Sequence, residues 1–266
     1  MYGADLGISS FKAVQLKNGK IRKKKRVFVN SEKNIEKQIE EFFSDSFFSK
    51  AEKIALTGAF AGKAKEIRGK KFIFVNEIQA IGKGSAFLSK EKNFLAVSVG
   101  TGSCFVSVKG KKFVHIGGTA IGGKTILGLS ELILKEKNFK KIESNALKGN
   151  SKKTDLMLSD VYPKGIGLLK ENVAVAHFGK ISSKKKKDLS AGIFNLVSQG
   201  VSISALFAAR TLKHNKAVFS GSFAETKFFQ KKFCECSKAF TKVQPVFLKQ
   251  AGFASAVGAA LIAGKK

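Results

Sequence analysis

The chain has no tryptophan, two tyrosines, two prolines, two methionines and three cysteines among its 266 residues. Each shortage excludes something. Three cysteines cannot form a paired disulfide framework. Cys234 and Cys236 make a bare C-x-C with no second ligand pair, which argues against structural zinc. The expected state is three reduced thiols in a cytoplasmic protein. Acidic residues are also scarce, 19 against 49 Lys and Arg, for a net charge of +30. Only four of the 49 are arginine (Arg22, Arg26, Arg68, Arg210). Sequence-specific nucleic-acid readers favour arginine and clustered basic faces. Here the lysines are spread throughout, and only Arg22–Arg26 (RKKKR) and Lys184–Lys187 (KKKK) cluster. A lysine-rich nucleic-acid binder stays open as an alternative, with compositional bias as the plainer reading. No apolar run reaches the roughly 18 residues that span a bilayer, so no membrane partner is expected. MYGADLGISS lacks the basic and apolar regions of a signal peptide. The three histidines show no metal-ligand spacing. His214 is expected at a helix end on the surface; His115 and His177 lie beside glycine-containing loops, within reach of a ligand.

What is present alternates between strand and helix. Tyr2–Leu6, Phe11–Leu16 and Arg22–Val29 read as a three-strand meander with Asn18-Gly19 at a turn. Glu32–Phe48 reads as an amphipathic helix capped by Ser31, with Ile35, Ile39, Phe42, Phe43 and Phe47 on one face. Lys53–Thr57 and Lys71–Val75 are strands, the second read as central, and Ile78–Leu88 is a helix. The pattern then restarts with strands Phe94–Val99, Cys104–Val108 and Lys112–Ile116, a glycine loop and the helix Ile126–Leu134. LGISSFKAVQLKNGK from Leu6 and VGTGSCFVSVKGKK from Val99 share apolar-Gly-x-small-Ser, an apolar strand and a glycine turn with lysines. Two related halves follow from this. Asp188–Leu212 reads as a long helix, Ala217–Ser220 and Gln244–Leu248 as strands, and Ala254–Ala263 as an alanine-rich helix. The fold class is α/β, in two lobes around a cleft.

The chemistry gathers at small-residue turns. Asp5-Leu6-Gly7-Ile8-Ser9-Ser10 and Gly100-Thr101-Gly102-Ser103 each join two strands. Backbone N–H groups in such turns can hold phosphate, and Gly or Ser lets the anion approach. Asp5 inside an apolar strand suits a Mg²⁺–phosphate role. Glu77, after KFIFVN, can take a proton from an attacking hydroxyl; its competing reading is a first-turn helix acid. The stretch GTAIGGKT (118–125) matches the phosphate-loop pattern G-x-x-x-x-G-K-[ST]. A P-loop enzyme would also need an apolar strand ending in Asp downstream. Asn172–Ala176, Ala217–Phe219 and Val246–Leu248 lack one, and DLMLSD, ending at Asp160, is short and broken by Ser159.

Read in order, these segments resemble type II (eukaryotic-type) pantothenate kinases within the actin-like ATPase superfamily of sugar kinases, acetate kinase and actin. The family's DxGGTxxK turn is Asp5-Leu-Gly7-Ile-Ser9-Ser-Phe-Lys12. Its VGTG turn is Val99–Gly102. Its GGxxxGGG loop is Gly117-Gly118-Thr-Ala-Ile-Gly122-Gly123-Lys124, followed by Gly128-Leu129. AxxFG is Ala174–Gly179, the Gly-Ser pair is Gly221-Ser222, and GxxGAxGAL runs from Gly252 to Leu261. The resemblance implies duplicated ribonuclease-H-like lobes, residues 1–90 and 91–266, with a terminal helix at 252–264 that packs back on the first lobe. It implies ATP and Mg²⁺, and transfer of phosphate to pantothenate, the first step of coenzyme A biosynthesis. The rival substrate is another small hydroxylated molecule. It makes Glu77 the general base and places Asp5 at Mg²⁺ through water. ATP would meet Asp5, Leu6, Gly7, Ile8, Ser9, Ser10, Phe11, Lys12, Thr101, Gly102, Gly122, Gly123, Lys124, Thr125 and Ser222. The substrate would meet Glu77, Ser103, Cys104, His115 and Gly118. Family members are homodimers, and Asp188–Leu212 could form the interface or the core. Three positions depart from the pattern: Ile8 for Gly, Cys104 for Ser, and His115 for an arginine that helps hold pantothenate. A neutral imidazole cannot make a bidentate clamp on an anion. Lys124 replaces the third glycine of GGxxxGGG.

Overall fold

The computed structural model describes residues 1–64, 67, 69–167, 171–240 and 243–264, with backbone alone at 239 and 240. Chain order is β1 (Tyr2–Leu6), β2 (Ser10–Lys17), β3 (Lys20–Phe28), α1 (Ile35–Ser44), β4 (Lys53–Thr57), β5 (Lys71–Phe74) and α2 (Glu77–Ser89). The strand-rich pattern returns as β6 (Asn93–Val99), β7 (Ser103–Lys109), β8 (Lys112–Thr119), α3 (Gly123–Leu134) and α4 (Phe139–Lys148). Then come β9 (Leu156–Met157), β10 (Ala174–Ala176), α5 (Lys186–Thr211), β11 (Lys216–Ser220), α6 (Lys227–Phe240), β12 (Gln244–Phe247) and α7 (Ala254–Ala263). Two five-stranded sheets result, ordered β3-β2-β1-β4-β5 and β12-β11-β6-β7-β8. In each, an antiparallel meander is extended by parallel strands.

Local chemistry explains the meander. Asn18 and Gly19 both have positive φ (51° and 67°), the pair a tight two-residue hairpin needs. Every residue of β1 is buried, consistent with its central place in the first sheet. Beneath the sheet, α1 supplies Phe42 and Phe43 to an aromatic cluster with Phe11, Phe48 and Phe72, ring centroids 5.0–5.5 Å apart. Burial of each such ring is worth about 1.5–3 kcal/mol. The helix is shorter than its periodicity suggests. Its cap is Asn34, whose side chain accepts the Lys37 amide, and not Ser31; Asp45 ends it in extended conformation. Asn at this position bonds an orphan amide as Ser would have done.

The helices α2 and α7 cross where the two sheets meet. The crossing is close because both carry glycine at the contact. A Cβ on Gly84 would collide with the Ala254 carbonyl, and one on Gly258 with the Ala80 carbonyl. Gly3 in β1 likewise admits the Ala256 carbonyl. Helix α7 therefore packs on the first sheet, with Ala256, Val257 and Ala260 against Val14 and Leu16.

Three expectations need correction. β5 is the edge strand of its sheet, not a central one, and Phe74 is exposed. One helix does reach spanning length: α5 has 26 residues and a long apolar window. Its apolar run is broken up by Ser, Gly and Asn in the letters, so summed hydropathy finds what a continuous run does not. Ile193, Phe194, Val197, Val201, Ala205 and Leu206 of α5 lie in the core of the second sheet, so it is a core helix. His214 is buried, not on the surface. Its Nε2 lies 2.8 Å from Ser107 Oγ, and desolvation with Lys109 nearby holds its pKa below the usual value. The Arg22–Arg26 cluster lies on β3, where Lys25 pairs with Asp45 and Arg26 with Glu225.

Candidate active site

Parallel strands end together, and that places the turns. β1 and β4 run parallel, so Leu6-Gly7 and Thr57-Gly58 leave the first sheet at one end. Gly58, at φ 97°, lies against Leu6, and a Cβ there would meet Asp5 Oδ1 at 2.5 Å. β6 and β11 also run parallel, so the Gly100–Gly102 turn and Gly221-Ser222 leave the second sheet side by side. Gly221 has φ 89° and packs directly on Val99. Ligand crevices of open α/β sheets lie at such carboxyl ends. The two groups of turns meet: Ser9 Oγ is 2.9 Å from Thr101 Oγ1, across 92 residues of sequence.

Asp5 and Lys12 are cross-strand partners in β1 and β2, with Nζ 3.6 Å from Oδ2 and both side chains largely buried. Burial pushes the Asp5 carboxyl above its usual range, and Lys12 opposes the shift. Glu77 opens α2, which Asn76 caps by accepting the Ile78 and Gln79 amides. The residue is exposed overall, yet its carboxyl is held above the usual glutamate range. Desolvation is the first cause and the Asp5 charge the second, with Lys12 acting against both. Cys104 on β7 feels Glu77 in turn: burial first, then that carboxylate, push its thiol up to about 11. Asp5, Lys12, Glu77 and Cys104 thus share one electrostatic neighbourhood drawn from both sheets. A carboxyl tuned upward beside a lysine suits proton acceptance from a hydroxyl.

The remaining expected residues divide by what they can offer. Leu6 and Phe11 are buried in the first core, so only their backbone can face a ligand. Ser10 is buried, whereas Ile8 is exposed. β8 runs through Thr119, so Gly118 is a strand residue opposite Cys104; a Cβ there would strike the Ser103 carbonyl. Ser103 Oγ is 2.7 Å from Thr119 Oγ1. His115 pairs with Val106 across a bulge, which puts it on the Cys104 face of the sheet, exposed.

The stretch 118–125 does not build a P-loop. It follows an edge strand antiparallel to its neighbour. Gly122 N–H donates to Thr125 Oγ1 (3.1 Å), Gly123 N–H to the Gly100 carbonyl (2.8 Å), and Lys124 N–H to the Thr101 carbonyl (3.2 Å). The Gly123 and Lys124 amides brace the 100–102 turn; Gly122 has no room for a Cβ beside Thr101 and Gly102. DLMLSD forms the short β9, paired with β10 outside both large sheets, and then a 3-10 turn over Leu158–Asp160.

One functional-looking pair was missed. Asp155, fully buried, receives Asn195 Nδ2 (2.7 Å), the Phe178 amide (3.0 Å) and the Thr154 hydroxyl (3.3 Å), and lies 3.2 Å from His177 Nδ1. Desolvation pushes its carboxyl up, but the bonds from His177, Asn195 and the Phe178 amide outweigh it and hold its pKa below the usual range. The scarcity of Asp was the available signal. Because the folded value is below the unfolded value of about 4, this carboxylate stabilises above that pH and loses its effect as pH falls through the folded value. Asp155→Ala is expected to cost about 3 kcal/mol near pH 7 by leaving buried donors unpaired. Urea unfolding checks it: the gap from wild type should shrink towards pH 3.

The Fumble family model matches residues 8–262, nearly the whole chain. The chain belongs to the Fumble family. This Fumble-family chain is 27% identical over 228 residues to a type II pantothenate kinase of Bacillus cereus, covering 80% of this chain and 82% of that protein. It is 28% identical over 212 residues to one of Oceanobacillus iheyensis, covering 75% and 79%. Among solved structures it resembles the activator of 2-hydroxyisocaproyl-CoA dehydratase from Clostridium difficile with bound ADPNP. The TM-score is 0.68 at 15% identity, covering 100% of this chain and 94% of that one. It also resembles a ROK family glucokinase from Streptomyces griseus in complex with glucose and AMPPNP, with TM-score 0.64 at 13% identity, covering 100% and 99%. The fold of this Fumble-family chain is therefore the two-lobed actin-like ATPase fold.

Proposed function

We propose that the chain transfers the γ-phosphate of ATP to the primary hydroxyl of pantothenate, giving 4'-phosphopantothenate and ADP, the first step of coenzyme A biosynthesis. The observation that carries this reading is the raised Glu77 carboxyl beside Asp5 and Lys12, at the meeting of the two turn groups. The type II pantothenate kinases it resembles support the choice of acceptor. Glu77 takes the hydroxyl proton as the oxygen attacks the γ-phosphorus, and ADP leaves. Lys12 and the Gly7–Ser9 and Thr101–Gly102 turns hold the phosphates. The Gly221-Ser222 loop holds the nucleotide from the second sheet. Ser103, Cys104, His115 and Gly118 line the acceptor side.

Among the described residues no group of three or more His, Cys, Asp or Glu is placed to hold a metal. A single hard carboxylate, Asp5, still fits Mg²⁺, which keeps its waters and binds mainly through substrate phosphates. When bound with ATP, Mg²⁺ neutralises phosphate charge; Asp5 would hold it through water. The lobes would divide as 1–90 and 91–266, with helix 252–264 returning to the first. The active form would be a cytoplasmic homodimer, with no nucleic-acid or membrane partner. Asp188–Leu212 would remain a candidate for that dimer's interface through its outer face, although most of α5 lies in its own core.

The test is pantothenate-dependent ADP release by the purified chain, run beside pantetheine and small sugars. Release with pantothenate alone supports the reading; release with a sugar and not with pantothenate overturns it. Lys124→Ala should keep the KM for ATP within about threefold, while Lys12→Ala raises it by about tenfold or more, since a charged group on phosphate contributes roughly 1.5–3 kcal/mol.

A further inference from the structure

The edge strand β3 connects both halves of the cleft. At one end its continuation is tied to the first turn: Val29 N–H donates to the Ser9 carbonyl at 3.1 Å. Within the strand, Arg26 is the cross-strand partner of Lys12, and directly opposed residues share a face. From that face Arg26 reaches the other sheet. Its Nη2 lies 3.3 Å from Glu225 Oε2, 199 residues away, and its guanidinium sits 5.0 Å from the centre of the Phe253 ring. Glu225 is bound a second time, because its Oε1 accepts the Gly252 amide at 3.0 Å.

The two segments that Arg26 touches are those that flank Gly221-Ser222. Glu225 ends the 3-10 turn Phe223–Glu225, and its amide donates to the Ser222 carbonyl at 3.3 Å. Gly221 N–H donates to the Ala251 carbonyl at 2.8 Å, one residue before Gly252. The site has been cleared for the guanidinium: a Cβ on Gly252 would overlap Arg26 Nη2. An arginine stacked on an aromatic and paired with a carboxylate that a backbone amide also holds is a better-fixed contact than an isolated surface ion pair.

We propose that Arg26 and Glu225 are positioning residues that seat the Gly221-Ser222 loop against the first turn, and so set the affinity for the nucleotide; this rests on the nucleotide reading of those turns. Neither residue touches reacting atoms. Their effect passes through Gly252 and Ser222 to the loop, and through β3 to Ser9 and Lys12. Ser103, Cys104, His115 and Gly118 of the acceptor side, on β7 and β8, bond one another or their own strands and make none of these Arg26 and Glu225 contacts.

The experiment compares wild type with Arg26→Glu, Gly252→Ala and Arg26→Lys. It measures KM for ATP, KM for pantothenate and direct ADP binding by calorimetry. Arg26→Glu and Gly252→Ala should raise the ATP KM by about tenfold, the worth of one charge-assisted hydrogen bond, with the pantothenate KM unchanged within about twofold. Arg26→Lys keeps the charge and should recover most of the loss. Gly252→Ala alters no charge and displaces only the end of a flexible side chain, so it decides the matter if Arg26→Glu fails to fold. Unchanged ATP KM in Gly252→Ala overturns the proposal, as does an equal rise in both KM values, which general loosening would produce. If wild type itself binds no ADP, the nucleotide reading falls and takes this one with it. If wild type binds and the variants bind equally well, only the positioning role falls.

Discussion

Glu77→Gln is expected to lower pantothenate-dependent ADP release by about 10²–10⁴-fold, the usual contribution of a positioned general base. ADP affinity should stay within about threefold, because the substitution removes a proton acceptor and leaves the phosphate turns intact. The wild-type pH profile provides an independent check. The base works only when ionised, and desolvation with the Asp5 charge raises its pKa. The acid limb of kcat/KM should therefore lie above the ordinary glutamate value of about 4.3. Stopped assays from about pH 4 to about pH 8, which include the ordinary glutamate value, measure the limb. Near-normal turnover by Glu77→Gln would assign the proton to another group. Lys12 is the natural control: its loss should weaken nucleotide binding, which Glu77→Gln should not.

Gly258→Val should carry a large stability cost. The Gly258 Cα faces the Ala80 carbonyl, and a Cβ would collide with backbone rather than with a side chain that can swing away. Helices α2 and α7 would have to separate, which loosens the facing Gly84–Ala254 contact as well. Overpacking usually costs about 1–3 kcal/mol, and a branched residue against rigid backbone belongs at or beyond the top of that range. For a protein of this size about 3 kcal/mol lowers Tm by roughly 6–12 °C. Calorimetry of the variant measures it, and an unchanged Tm would show that the helices part freely. Since Glu77 is the first residue of α2, activity should fall further than the unfolded fraction alone accounts for.

The elements that read well from letters are those whose signals are local. Asn18-Gly19 marked a hairpin because both residues tolerate positive φ, and the structure places them there. Strands β1, β4, β6 and β11 and helices α5 and α7 matched their apolar patterns to within one or two residues. Misreadings occurred where two signals competed or where the answer depended on a distant segment. Ser31 has a capping side chain, but Asn34, three residues on and just before the first helical turn, is the residue the structure uses. β5 looks central in its own letters, yet among the described residues no strand pairs with its far side. His214 sits after a helix, a usual surface position, but Ser107 arrives from another strand to cover it. Asp155 acquires its meaning only from His177, Phe178 and Asn195.

The candidate site divides in the same way. Its residue types, their order and the two small-residue turns follow from the sequence alone, because a turn that can hold an anion is a property of a few consecutive residues. Which turns face each other does not. The Ser9–Thr101 contact, the influence of Glu77 on Cys104, the use of the Gly123 and Lys124 amides to brace a neighbouring turn, and the reach of Arg26 to Glu225 all join residues far apart in the chain. Strand direction and the glycine-lined crossing of α2 and α7 set those distances. Packing of the whole chain decides both, since backbone can approach backbone only where every intervening side chain has been omitted or buried elsewhere.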